Sequence, residues 1–139
     1  MLDSLYQEII LEHYKSPRNF GKLENPDAKI HSNNPSCGDE LELQILVRNQ
    51  KIEEIKFCGR GCAISQASAS MMTDMVKGKT LPEAQKIAQS FHALVTGDGE
   101  PECDLGDLEA LAGVKKFPIR VKCATLAWAA LNDILEKIK

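Results

Sequence analysis

The hydrophobic pattern of this chain changes period at a glycine-flanked arginine near its middle. Before that point Leu41, Leu43, Ile45 and Val47 alternate with Glu40, Glu42, Gln44 and Leu46, the period of a half-buried strand. Asn49-Gln50-Lys51 predicts a turn into a second strand over 52–58, and a further strand is expected near 28–32. Beyond Gly59-Arg60-Gly61, the residues Ile64, Ala67, Met71, Met72 and Met75 recur at helical spacing up to Gly78. Thr80-Leu81-Pro82-Glu83 then opens a helix with a capping box and an early proline, carrying Ala84, Ile87, Ala88, Phe91 and Leu94 inward. Asp104 is expected to cap a short helix ended by Gly113, and the last helix, 121–138, buries Ala127, Leu131, Ile134 and Ile138. Ahead of the strands, Leu5, Ile9, Ile10 and Tyr14 form the stripe of a helix over 4–14, with Ser4 and Gln7 in capping-box form. Strands grouped before helices predict an α+β chain, a small antiparallel sheet of about three strands against a layer of helices.

At 139 residues, with no repeat and no long linker, the chain is expected to form one domain over 1–139. Its 43% apolar and 27% charged residues exclude a disordered or fibrous chain, and its apolar runs fall far short of a membrane span. Aromatic residues make up only 5% and the net charge is −3, a poor composition for binding nucleic acid. Met1-Leu2-Asp3-Ser4-Leu5-Tyr6 lacks the basic and apolar regions of an export signal, so a cytoplasmic location with reduced thiols is expected.

Five cysteines stand out against this ordinary background. Cys37 lies in Asn34-Pro35-Ser36-Cys37-Gly38-Asp39, a turn whose proline and glycine leave the thiol uncovered, with the Asp39 carboxylate two positions on. Cys62 follows Gly59-Arg60-Gly61 where strand gives way to helix, so its thiol meets the positive end of a helix dipole. Cys123 is expected at the equivalent place at the start of the last helix, with Arg120 and Lys122 beside it. Cys58 reads as a buried bystander at a strand end, and Cys103 sits among acids in a loop; both are set aside. No pair is spaced as CxxC, so burial as separate small hydrophobes and convergence of Cys37, Cys62 and Cys123 with Asp39 on one metal both remain open. Three thiolates and a carboxylate suit tetrahedral zinc or iron, and the lone oxygen donor is a natural exchangeable position.

Other motifs are weaker. His13, His31 and His92 are expected to be packed or solvated residues, and the methionines to fill the core. Gly59-Arg60-Gly61 lacks the third glycine of a dinucleotide-binding turn. An acidic run, Asp98, Glu100, Glu102, Asp104, Asp107 and Glu109, precedes a basic one, Lys115, Lys116, Arg120 and Lys122, giving either solvated faces or a docking surface beside the last cysteine.

Taken together, the cysteine segments resemble the iron–sulfur cluster assembly proteins of the IscU/NifU N-terminal family. The matching stretches are Glu12-His13-Tyr14 through Pro17-Arg18-Asn19, then Asn34-Pro35-Ser36-Cys37-Gly38-Asp39, Gly61-Cys62-Ala63-Ile64-Ser65, Ala67-Ser68-Ala69-Ser70-Met71-Met72, and Arg120-Val121-Lys122-Cys123-Ala124-Thr125-Leu126-Ala127-Trp128. The resemblance covers nearly the whole chain and implies the SufE/IscU-like fold, which agrees with the elements read independently above. Two departures point within the family to the SufU branch. Lys122 stands where the cluster-scaffold branch has a histidine, and extra sequence, including 104–112, separates the second and third cysteines.

That branch implies a zinc-dependent sulfur acceptor and carrier rather than a stand-alone enzyme. By resemblance Cys37, Asp39, Cys62 and Cys123 are the zinc ligands, and Cys37 accepts sulfur from a cysteine desulfurase. Arg120 and Lys122 are expected to favour the developing thiolate and to meet the partner. Downstream, a cluster scaffold or apo-protein acceptors would receive the sulfur, with no nucleic acid or membrane involved. The alternatives are a scaffold that builds a [2Fe-2S] cluster or binds iron on the same ligands, and a structural zinc module for protein interaction.

Overall fold

The computed structural model describes residues 4–34 and 38–138. The chain runs through α1 (Ser4–Lys15), β1 (Ala28–Asn34), β2 (Asp39–Arg48), β3 (Lys51–Arg60), α2 (Ala63–Val76), α3 (Leu81–Thr96), a 3-10 segment (Gly106–Lys116) and α4 (Pro118–Lys137). Among the described residues the strands form an antiparallel sheet of order β1-β2-β3, with the helices packed against it, as the periodicity predicts. No helix among these residues is long and apolar enough to cross a membrane.

The β2–β3 hairpin closes through Asn49 and Gln50, both with positive φ (54° and 65°), as a right-twisted two-residue turn requires. Leu43 pairs with Phe57 and Ile45 with Ile55 before a register shift at Leu46/Val47. The shift puts Ile52 and Ile55, an odd number of residues apart, on the same buried face. β3 also runs two residues past its predicted end, pairing Gly59 with Leu41 and Arg60 with Glu40. At Gly59 a β-carbon would lie 2.1 Å from the Glu40 carbonyl oxygen, so glycine is what allows the strand ends to close together.

α2 lies at the centre of the molecule. A single buried face was expected, yet every residue from Ser65 to Thr73 is buried. Its small side chains admit neighbours on all sides, and its hydroxyls are satisfied by them. Ser68 Oγ donates to the Ala124 carbonyl at 2.6 Å and accepts from Trp128 Nε1 at 3.1 Å. Ser70 Oγ accepts the Arg18 backbone N–H at 2.8 Å and lies 2.8 Å from His13 Nδ1.

That last contact corrects the reading of α1. Its buried residues are Ile10 and His13, with Tyr6 and Ile9 partly covered, while Leu5 (58%) and Tyr14 (44%) are exposed. The helix is rotated because a polar residue, His13, occupies the face turned to α2. Ser4 is already helical, so it is not the capping position.

α3 begins as predicted, with the Thr80–Glu83 capping box formed in both directions. Phe91 stacks on Trp128 of α4 at 4.6 Å, whereas Leu94 is only half-buried. The short helix expected to end at Gly113 is instead a 3-10 segment running to Lys116. Asp104 accepts from the Gly106 N–H at 3.0 Å, but Leu105 holds the cap position. α4 starts at Pro118, three residues before its expected start at 121, because proline suits a first helical turn. Of its expected core residues, Ala127, Leu131 and Ile134 are buried and Ile138 is partly covered.

Candidate metal centre

Four elements meet where β2 begins, β3 has just ended and α4 crosses α2. Asp39 is the first residue of β2, paired with Asn34 of β1, and is 1% exposed. Cys62 is the N-cap of α2, and its backbone N–H donates to Asp39 Oδ1 at 2.9 Å. The carboxylate thus meets one of the amide donors that a helix start leaves unpaired. Ser65 Oγ donates back to the Cys62 carbonyl at 3.1 Å and holds the same turn from within the helix.

Cys123 reaches this point from the second turn of α4. It is fully buried, which differs from the expected helix-start position, because the helix begins earlier at Pro118. A carboxylate oxygen of Asp39 and the sulfurs of Cys62 and Cys123 all lie within 4.8 Å of one another. Asp39 Oδ2 is buried and, among the described residues, has no hydrogen-bond partner. A buried carboxylate oxygen without a donor is costly in a folded protein, and a cation is its natural complement. Two thiols and this oxygen are donors that zinc or iron accepts, so the residues present fit a metal.

Cys37 lies outside the described residues. The ends of its loop are described: the Gly38 N–H donates to the Asn34 carbonyl at 2.9 Å, and Gly38 adopts φ +72° in open surroundings. Cys58 and Cys103 are not part of the cluster. Cys58, expected to be buried, is only half-buried, since it alternates with Phe57 and points away from the core face. Cys103 is half-buried and packs near Ser90, its sulfur 3.4 Å from Ser90 Oγ. Arg120 and Lys122 are exposed. Arg120 joins Ile64, Gly113, Val114 and Phe117 around a cavity of about 370 Å³.

His31 and His92 are exposed, while His13 is packed at 3% exposure, with Asp107 Oδ2 3.5 Å from its Nε2. Sequence reasoning did not assign roles to His13, Ser65 or Gly61. For Gly61 the flanking glycines gave the signal of a tight turn, but not its proximity to Asp39.

The fold and the site define a class: small α+β proteins that gather cysteines and an aspartate at the end of a hairpin. The NifU-like N terminal domain family matches residues 5–124, and the chain belongs to that family. It is 48% identical over 137 residues to the zinc-dependent sulfurtransferase SufU of Bacillus subtilis (strain 168), an alignment covering 98% of this chain and 92% of that protein. It is 45% identical over 137 residues to the iron-sulfur cluster assembly scaffold protein IscU of Streptococcus pyogenes serotype M1, covering 98% and 86%. Among solved structures, FiSufU from Fervidobacterium islandicum AW-1, described as an assembly scaffold protein for the SUF system, superposes with a TM-score of 0.89 at 38% identity, covering 95% of this chain and 97% of that one.

Proposed function

We propose that this chain works in iron–sulfur cluster assembly as a zinc-dependent sulfur carrier. It takes persulfide sulfur from a cysteine desulfurase and passes it to a cluster scaffold or to apo-protein acceptors. The observation that carries this reading is the meeting of Cys62 and Cys123 with a buried Asp39 carboxylate that has one oxygen unpartnered. Cys37, Asp39, Cys62 and Cys123 are the proposed ligands, with Cys37 also the sulfur acceptor. When bound, zinc keeps the thiolates unprotonated and is itself redox-inert.

The chain's own residues do the rest. Asp39 is held by the Cys62 N–H, and Cys123 is buried beneath it, so both are fixed donors. Arg120 and Lys122 place positive charge on the exposed side of α4 ahead of Cys123, where a partner's acidic or thiolate groups arrive. In the transfer the Cys37 thiolate attacks the outer sulfur of the donor's persulfide. A sulfur–sulfur bond forms at Cys37, the donor's sulfur–sulfur bond breaks, and the donor cysteine leaves as a thiolate. No external oxidant or reductant is needed.

Support comes from the B. subtilis relative, named a zinc-dependent sulfurtransferase, and from Lys122, which departs from the histidine of the scaffold branch. A second reading, cluster assembly on the same ligands with iron or a [2Fe-2S] cluster, is supported by the S. pyogenes relative named a scaffold. Adding the protein to a cysteine desulfurase is expected to accelerate cysteine turnover and leave one extra sulfur on Cys37 by mass spectrometry. A Cys37→Ser protein that still accelerates turnover and still gains the sulfur would sink the assignment.

A further inference from the structure

We infer that Gly61 is a positioning residue for Asp39: the absence of a side chain there lets the carboxylate sit against the start of α2 with one oxygen tied and the other free for a metal. The geometric part stands on the structure alone; its consequence for metal binding rests on the reading proposed above.

A β-carbon built at Gly61 falls 2.3 Å from Asp39 Oδ1, 2.9 Å from Asp39 Cγ and 2.6 Å from Ser65 Oγ. Its backbone is not among the positive-φ conformations, so glycine is needed here for space and not for torsional freedom. Gly38 is the opposite case, with φ +72° and nothing near a built β-carbon. Neither group crowding Gly61 is free to retreat. Asp39 is held by its strand pairing with Asn34 and by the Cys62 N–H, and Ser65 Oγ is engaged with the Cys62 carbonyl.

With Oδ1 tied, Asp39 presents a single oxygen, Oδ2, and cannot swing outward without breaking the bond to Cys62. A lone oxygen among sulfurs is by chemistry the natural exchangeable ligand, but this seat makes it a fixed one.

The test uses Ser65→Ala as a common background, which removes the second collision and leaves only the one with Asp39. Zinc affinity is measured by competition with a chromophoric chelator for that protein, with Gly61→Ala, with Asp39→Ala, and with both. Gly61→Ala is expected to weaken zinc binding roughly 10–100-fold where Asp39 is present and to leave it unchanged where Asp39 is alanine. An equal loss in both backgrounds, or none in either, overturns the proposal. If Gly61→Ala fails to fold beside Asp39 but folds beside alanine, the collision is confirmed; failure in both overturns it. Hydrogen exchange at the Cys62 amide of the metal-free proteins is the second readout, expected to quicken on Gly61→Ala only when Asp39 is present. If the unsubstituted protein binds no zinc, the metal reading falls, and the Cys62 amide still decides the role of Gly61.

Discussion

Asp39 is a carboxylate 1% exposed with one oxygen hydrogen-bonded and the other alone. An unsatisfied buried polar group costs about 1–3 kcal/mol, and more when charged. Without a metal the residue therefore works against the fold that holds it. Asp39→Ala is expected to raise the melting temperature of the metal-free protein and to shrink the rise that zinc produces. A drop in the metal-free melting temperature, read by circular dichroism, would contradict this. The sequence already showed which aspartate to watch, since Cys37-Gly38-Asp39 puts it beside an uncovered thiol. It could not show that Oδ1 would be tied to Cys62, because that bond spans 23 positions of sequence.

The elements that read cleanly are those whose signal is local. The Thr80–Glu83 box is complete within four consecutive residues: the Glu83 N–H donates to Thr80 Oγ at 3.2 Å, and the Thr80 N–H to Glu83 Oε1 at 2.9 Å. Thr80→Ala should cost about 1 kcal/mol in denaturant unfolding. The Thr80 backbone N–H, and after it the Thr80 side chain, holds the Glu83 carboxyl below its ordinary range. Its folded pKa is depressed, so its contribution is present above the unfolded pKa and is lost as pH falls through the folded one. Glu83→Ala should accordingly cost less in acid than at neutral pH. Elements read poorly where the assumed period was wrong. Leu105, Leu108, Leu111 and Val114 are all buried at a strict spacing of three, the period of a 3-10 helix and not of an α-helix. The spacing is present in the sequence, but Gly113, a residue that commonly ends α-helices, lies inside the segment. In α1 the apolar stripe misled because His13, bonded to Ser70, took a core-facing position.

Across the whole molecule the candidate donors come from β2, the start of α2 and the second turn of α4, so one ion would join the sheet to two helices distant in sequence. No such site preforms in an unfolded chain, which makes metal binding part of folding stability. Zinc at about a thousand times its dissociation constant contributes about 4 kcal/mol, worth roughly 14 °C in a chain of this size. Chelation under reducing conditions should lower the melting temperature by about that much, with the loss reversed by zinc. The α+β architecture was legible because strand and helix periods are separated along the chain. The choice between sulfur transfer and cluster building was not, since both chemistries use the same donors.

Metal and sulfide analysis of the protein purified without oxygen separates those two chemistries most directly. One zinc per chain, no acid-labile sulfide and no visible colour are expected of a zinc-dependent sulfur carrier. Bound iron with sulfide in a coloured protein would contradict that role.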